Sequence, residues 1–285
     1  MDGKHLPLSG PPRSSLKEAA CRYFQIHCDW YTERYLVPAG GNILWARHRA
    51  VLQMVEEMKL PQGSRILDLG CGAGFLSFDL AKRGYCGVGL DAAPAMIQRC
   101  KVQAAAQGAS RLWHYQVGDV ELLPFRDESF DAAICAGVIE YLPGDENVLR
   151  EVARVLKPGG RFIICYTNKY GYTLSLFSLF LWFARIPGAR KALSTIRRVL
   201  VGGKYGATAF NFRPRKHRPS VARRTVTQVG YQIVTDRYAL FTVLPAPFCA
   251  LASRLKLNLH DRLAALDRTP LRIFGSCYLV GCLKT

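Results

Sequence analysis

The middle of the chain alternates short apolar runs with segments of helical spacing. Arg65–Leu69 (RILDL), 85–90 and 130–135 are apolar with no strict polar alternation, the pattern of parallel strands buried on both faces. Trp113–Val117 and 161–166 read as two more strands. Between the first two runs, 75–83 offers Phe75, Leu76, Phe78, Leu80 and Ala81 to a sheet, and Gly84 stops it. A helix is predicted from Pro94, which suits a first turn, to about Gln107, and another over 144–156. Strands alternating with helices predict an α/β fold on a mostly parallel sheet. Two helices precede it. The first spans 15–35 and is rich in aromatics; the second spans 44–58, with Val51, Leu52, Val55 and Met58 on one stripe.

The chemistry enters at the first turn. Gly70, Gly72 and Gly74 follow the first strand as G-x-G-x-G, and Asp91 closes the next strand 17 residues past Gly74. So tight a turn needs positive φ or backbone without a Cβ in the way, which glycine supplies. Ligands of open α/β sheets bind at the carboxyl ends of strands, where an acid can accept from ribose hydroxyls. A dinucleotide site would space its glycines G-x-G-x-x-G to seat a pyrophosphate. Here Asp68 leads the run D-L-G-C-G-A-G at 68–74, which closely resembles the first motif of the class I S-adenosylmethionine-dependent methyltransferases. Three further motifs follow in that family's order: Gly118-Asp119-Val120 after the third strand, 136–142 after the fourth, and L-K-P-G-G at 156–160 before the fifth.

The resemblance implies a Rossmann-like seven-stranded, mostly parallel sheet with helices on both faces. In it 221–230 is a helix, 231–240 the sixth strand and 272–283 an antiparallel seventh. It implies S-adenosylmethionine as cofactor, its ribose on Asp91, its adenine amino group on Asp119 with Val120 against the ring, and Asp68 toward its cationic methionine end. Gly70, Cys71, Gly72, Gly74, Ala92, Met96 and Ala136 would complete that site. Two readings of the N-terminal aromatics stay open: packing on the sheet edge, or a lid in which Tyr23, Trp30 and Tyr31 cover the ligand. Many relatives carry Glu-His where this chain has Glu140-Tyr141, so a histidine base does not carry over. If the acceptor is a weakly acidic hydroxyl or carbon acid, Glu140, Tyr141 and His27 are the base candidates. No Cys/His set has metal spacing, and metal independence is expected.

Charge then sets one region apart. The net charge is +18, and the 84 residues from 152 to 235 contain 16 Lys and Arg and no Asp or Glu. This span includes 172–184, apolar nearly all round but shorter than the roughly 18 to 20 residues a spanning helix needs. A one-sided field implies an anionic partner. Three readings fit: an anionic membrane surface, nucleic acid, or an acidic small substrate or no partner beyond water. The apolar element favours a lipophilic small-molecule acceptor at a membrane, since nucleic acid does not need it; an RNA methyltransferase is the alternative. The ten cysteines, without an apolar leader in 1–15, are expected to be reduced thiols in the cytoplasm, or at the inner face of a membrane. The expected organisation is a helical lid over 1–60, a cofactor core over 61–168, an insert over 169–220, and the rest of the sheet over 221–285 with an excursion at 241–271.

Overall fold

A computed structural model describes residues 13–36, 43–171, 212–241 and 265–285. The strands are β1 (Arg65–Leu69), β2 (Cys86–Asp91), β3 (Trp113–Val117), β4 (Phe130–Ala136), β5 (Leu156–Thr167), β6 (Tyr231–Ala239) and β7 (Cys277–Lys284). They form one sheet in the order β3-β2-β1-β4-β5-β7-β6. All neighbours are parallel except β7, which runs antiparallel to both β5 and β6. This is the expected seven-stranded architecture. Its strand order reverses direction at β1, which puts a crevice at the carboxyl ends of β1 and β4.

The apolar runs make the sheet because both faces are covered. On one face α3 (Ile43–Met58), α4 (Phe75–Lys82) and α5 (Pro94–Ala106) bury Val51, Met54, Phe78, Leu80 and Ile97 against Ile66, Ile134 and Ile163. On the other, α6 (Glu146–Val155) and α7 (Pro219–Gln228) bury Val148, Leu149, Val152 and Val226 against Leu67, Phe162 and Val280. The strands therefore need apolar residues on both sides, which is why they do not alternate.

Three boundaries differ from the sequence reading. The N-terminal helix breaks at His27 into α1 (Arg13–Ile26) and α2 (Cys28–Leu36). The fifth strand starts at Leu156 rather than at 161, because Leu156 already pairs with Phe130 and the register shifts before Ala132 meets Arg161. The seventh starts at Cys277, since Thr269 caps a 3-10 turn over Pro270–Phe274 by accepting the Leu271 N–H. The apolar stretch 172–184 and most of 241–271 lie outside the described residues. No described helix is long and apolar enough to cross a membrane.

Asn168, fully buried, joins the end of β5 to that turn. Its side-chain amide donates to the carbonyls of Ile273 and Gly275, both at 2.7 Å, and its Oδ1 accepts from the Tyr170 N–H at 3.1 Å. Removing it strands buried backbone groups. Asn168→Ala should lower unfolding stability by about 3 kcal/mol, read as a shift of the denaturant midpoint at unchanged slope.

Candidate active site

β1 ends in a loop whose three glycines all take positive φ: +67° at Gly70, +54° at Gly72 and +84° at Gly74. The loop is clamped from both sides. A Cβ on Gly70 would fall 2.0 Å from a Val138 methyl, and one on Gly72 would press the Tyr31 ring at 3.3 Å. The N–H groups of Gly70 and Cys71 both donate to the Leu90 carbonyl, at 2.7 and 3.1 Å. Asp91 completes the clamp: its Oδ2 accepts from the Gly72 N–H and its Oδ1 from the Ala93 N–H, each at 2.9 Å. Burial pushes the Asp91 carboxyl upward, against those two bonds.

Asp68 lies beneath this loop, 3% exposed, with Oδ2 accepting from the Ser77 hydroxyl at 2.9 Å. Burial raises its pKa to about 7; Ser77 opposes the rise and the nearby Asp91 adds to it. Across a small cavity of about 30 Å³ stands Arg47 of α3, and Tyr31, Tyr35, Gly70 and Ala136 share the lining. The Arg47 guanidinium lies over Gly137, where a Cβ would come within 2.3 Å of its Cζ. Its Nη1 is 3.8 Å from Glu140 Oε1. One cavity thus carries an acid on one wall and a permanent cation on the other. Sequence reasoning missed Arg47, which looks like any polar position on an amphipathic helix.

Beyond β4, a 3-10 turn over Ile139–Tyr141 presents the acceptor-side pair. Glu140 is 4% exposed; its Oε1 accepts from the Thr167 hydroxyl at 3.3 Å, while Oε2 is buried with no hydrogen-bond partner among the described residues. Burial first, and the Glu140 charge second, push the Tyr141 phenol well up. That favours the protonated phenol at Tyr141, a hydrogen-bond donor. Its ring packs edge-on to Phe24 and Phe212, and Tyr23 meets both of those rings as well. His27 stands apart from this pair: its ring stacks on Tyr23 at 4.2 Å and its Nδ1 is 2.8 Å from the Tyr23 carbonyl.

The turn is braced from the basic span, which sequence reasoning also missed. Arg215 donates its N–H to the Glu140 carbonyl at 2.8 Å and Nη2 to the Ile139 carbonyl at 3.3 Å, and it pairs with Asp145. Arg154, Lys157 and Arg223 likewise meet Asp127, Asp131 and Asp236. Among the described residues, four of these cations are therefore matched by acids outside their own span. A count along the chain does not see partners across space, so the one-sided field is weaker than the sequence suggests.

The helices α1 and α2 lie on the residues expected to hold adenosine. Lys17 Nζ bridges both oxygens of Asp119, at 2.7 and 2.6 Å, and reaches Glu121 at 2.6 Å. Cys21 donates to the Ala92 carbonyl, Gln25 accepts from the Ala95 N–H, and Cys28 packs with Met96. Val120 is buried in the core of the opposite face. Tyr23 and Tyr31 are both in this layer, Tyr31 directly over Gly72. Donors and acceptors suit a zwitterionic nucleoside; the space does not in this closed arrangement, because small-molecule pockets run to several hundred Å³.

Residues 67–164 match a family described as Methyltransferase domain. A ubiquinone biosynthesis O-methyltransferase of Coxiella burnetii (strain RSA 493 / Nine Mile phase I) is 29% identical over 163 residues, covering 55% of this chain and 67% of that protein. Sterol 4-C-methyltransferase strm-1 of Caenorhabditis elegans is 33% identical over 171 residues, 59% of this chain and 50% of that protein. The structure of magnesium protoporphyrin IX methyltransferase from Synechocystis PCC 6803 with bound SAH shares the fold, with a TM-score of 0.59 at 16% identity over 95% of this chain and 100% of that one. With the glycine loop, the strand order and the matched domain in agreement, residues 67–164 form a methyltransferase domain, on the sheet of the class I S-adenosylmethionine-dependent methyltransferase fold.

Proposed function

We propose that this methyltransferase acts on a lipophilic small molecule taken from an anionic membrane surface. The observation that carries the reading is the aromatic roof of Tyr23, Phe24, Tyr141 and Phe212 beside the acid–cation cavity. A buried aromatic cluster beside the cavity suits a greasy acceptor. Two relatives are named for ubiquinone biosynthesis and for a sterol, which supports the same class.

In this reading the cofactor supplies an electrophilic methyl on a sulfonium, and the protein supplies alignment and desolvation. Arg47 takes the methionine carboxylate and Asp68 its ammonium. Asp91 holds the ribose, and Asp119 the adenine amino group once Lys17 has released it. Ala92, Met96 and Val120 border the adenine; Cys71, Gly74 and Ala136 border the rest. Glu140 Oε2 is the acceptor for a proton if a hydroxyl is methylated, with Thr167 and Arg47 fixing the carboxylate. Tyr141 donates to the same acceptor.

Three outcomes follow. With a tritiated methyl donor and a mixture of lipid extract and total RNA, label should enter the organic phase and disappear when the lipid is withheld; label confined to RNA would overturn the reading in favour of RNA methylation. Arg47→Ala should weaken S-adenosylmethionine binding about 10- to 100-fold, the loss expected for a charged hydrogen-bonding partner. Methylthioadenosine, which lacks the amino-acid end, should bind the variant as it binds wild type. Asp68 must be ionised to meet an ammonium, and below its pKa of about 7 binding has to expel a proton. Affinity should therefore rise about tenfold per unit from about pH 5 to about pH 7 and then level off, and Asp68→Asn should flatten the profile in calorimetry.

A further inference from the structure

Scattered exposed apolar side chains are ordinary on any protein surface. Four of them collected on one rigid unit are not. Leu271 is 52% exposed, Ile273 39%, Phe274 45% and Tyr170 41%. The first three belong to the 3-10 turn Pro270–Phe274, and Tyr170 follows the end of β5. They form one surface because Asn168 binds both pieces: its Nδ2 to the Ile273 and Gly275 carbonyls, its Oδ1 to the Tyr170 N–H. This is a hydrogen-bonded platform anchored by a fully buried amide, and its apolar side chains turn outward while Tyr278, Leu279 and Val280 just beyond are fully buried.

Its position relates it to the chemistry. Thr167, one residue before Asn168, donates to the Glu140 carboxylate. The platform is therefore on the rim next to the candidate acceptor group. Exposed cations flank it, while Arg272 within the turn pairs with Asp236 and His217 with Asp145. Lys169 precedes Tyr170, and its N–H donates to the His217 carbonyl at 2.8 Å, which brings Lys216 and Arg218 alongside. Arg268 lies two residues before Pro270. All four of these cations are exposed, and none is in an ion pair with a described acid. Across 168–171, 216–218 and 265–275 the sole acid is Asp267, which accepts the Tyr238 N–H at 2.7 Å.

We propose that this platform is the surface by which the enzyme docks on an anionic lipid bilayer, with Leu271, Ile273, Phe274 and Tyr170 entering the interface and Lys169, Lys216, Arg218 and Arg268 meeting the headgroups. The proposal rests on the reading of a membrane-derived acceptor and assigns the contact to a part of the chain distinct from 172–184. The combination of outward apolar side chains and flanking cations is what interfacial binding uses, each reinforcing the other. A docked platform brings the rim beside Glu140 against the layer that holds the acceptor.

Flotation of the full-length protein with phosphatidylglycerol-containing vesicles, against pure phosphatidylcholine, tests it. Wild type should float with the anionic vesicles. L271S/I273S/F274S should reduce partitioning at least about tenfold while S-adenosylmethionine affinity and circular dichroism stay unchanged. Should that variant fail to fold, Lys169→Glu combined with Arg268→Glu, both at exposed positions, should lose binding to the anionic vesicles. Undiminished flotation of the folded variants overturns the proposal and leaves the membrane reading standing. No flotation of wild type overturns the membrane reading itself. A wild type that sediments as a dimer and a triple variant that sediments as a monomer, with neither floating, would make the platform a contact between copies and overturn the proposal.

Discussion

One carboxylate ties the two halves of the crevice together. Asp91 accepts from Gly72 in the loop after β1 and from Ala93 at the start of α5. The loop holds three successive left-handed glycines, a conformation that would not persist on backbone preference alone. Two hydrogen bonds to an ionised group, and a carbonyl at Leu90 accepting twice, fix it against the end of β2. Everything else described at the site takes its position from this piece of backbone. Tyr31 packs over it, Val138 closes on it from the turn after β4, and Asp68 is buried below it.

Burying charge at the same place has an energetic consequence. Asp68 and Glu140 are buried, and Asp91 and Arg47 largely so, around the carboxyl ends of β1, β2 and β4. An unpaired buried charge is costly, and the protein meets the cost differently at each. Asp91 has two backbone donors. Glu140 has Arg47 and Thr167. Asp68 has only Ser77, and its pKa rises to about 7 as a result. The group with the least compensation is the one best prepared to gain a cationic partner.

How much of this the sequence disclosed depended on the range of the interaction. The loop, the strand order and Asp91 were legible because glycine spacing and apolar periodicity are local, and the motifs recur in one order. The break at His27 and the turn at Pro270–Phe274 were not, since each is decided by what the segment packs on. Arg47, Lys17 and Arg215 escaped for a common reason. A cation on a polar stretch looks the same whether it faces water or reaches an acid about a hundred residues away, as Lys17 does at Asp119. The sixteen cations of 152–235 illustrate the converse error: several were counted as free charge and are neutralised by acids that precede the span.

The ammonium of Lys17 carries a consequence for timing. It occupies both oxygens of Asp119 and also grips Glu121, from a helix that in the same stroke places Cys21 and Gln25 on the backbone at Ala92 and Ala95. Another amino group can take both oxygens of that carboxylate only when Lys17 gives them up. On the reading proposed above, the Lys17 ammonium and the adenine amino group compete for one acceptor. Each round of catalysis then includes an exchange of partners at Asp119, a step separate from bond making.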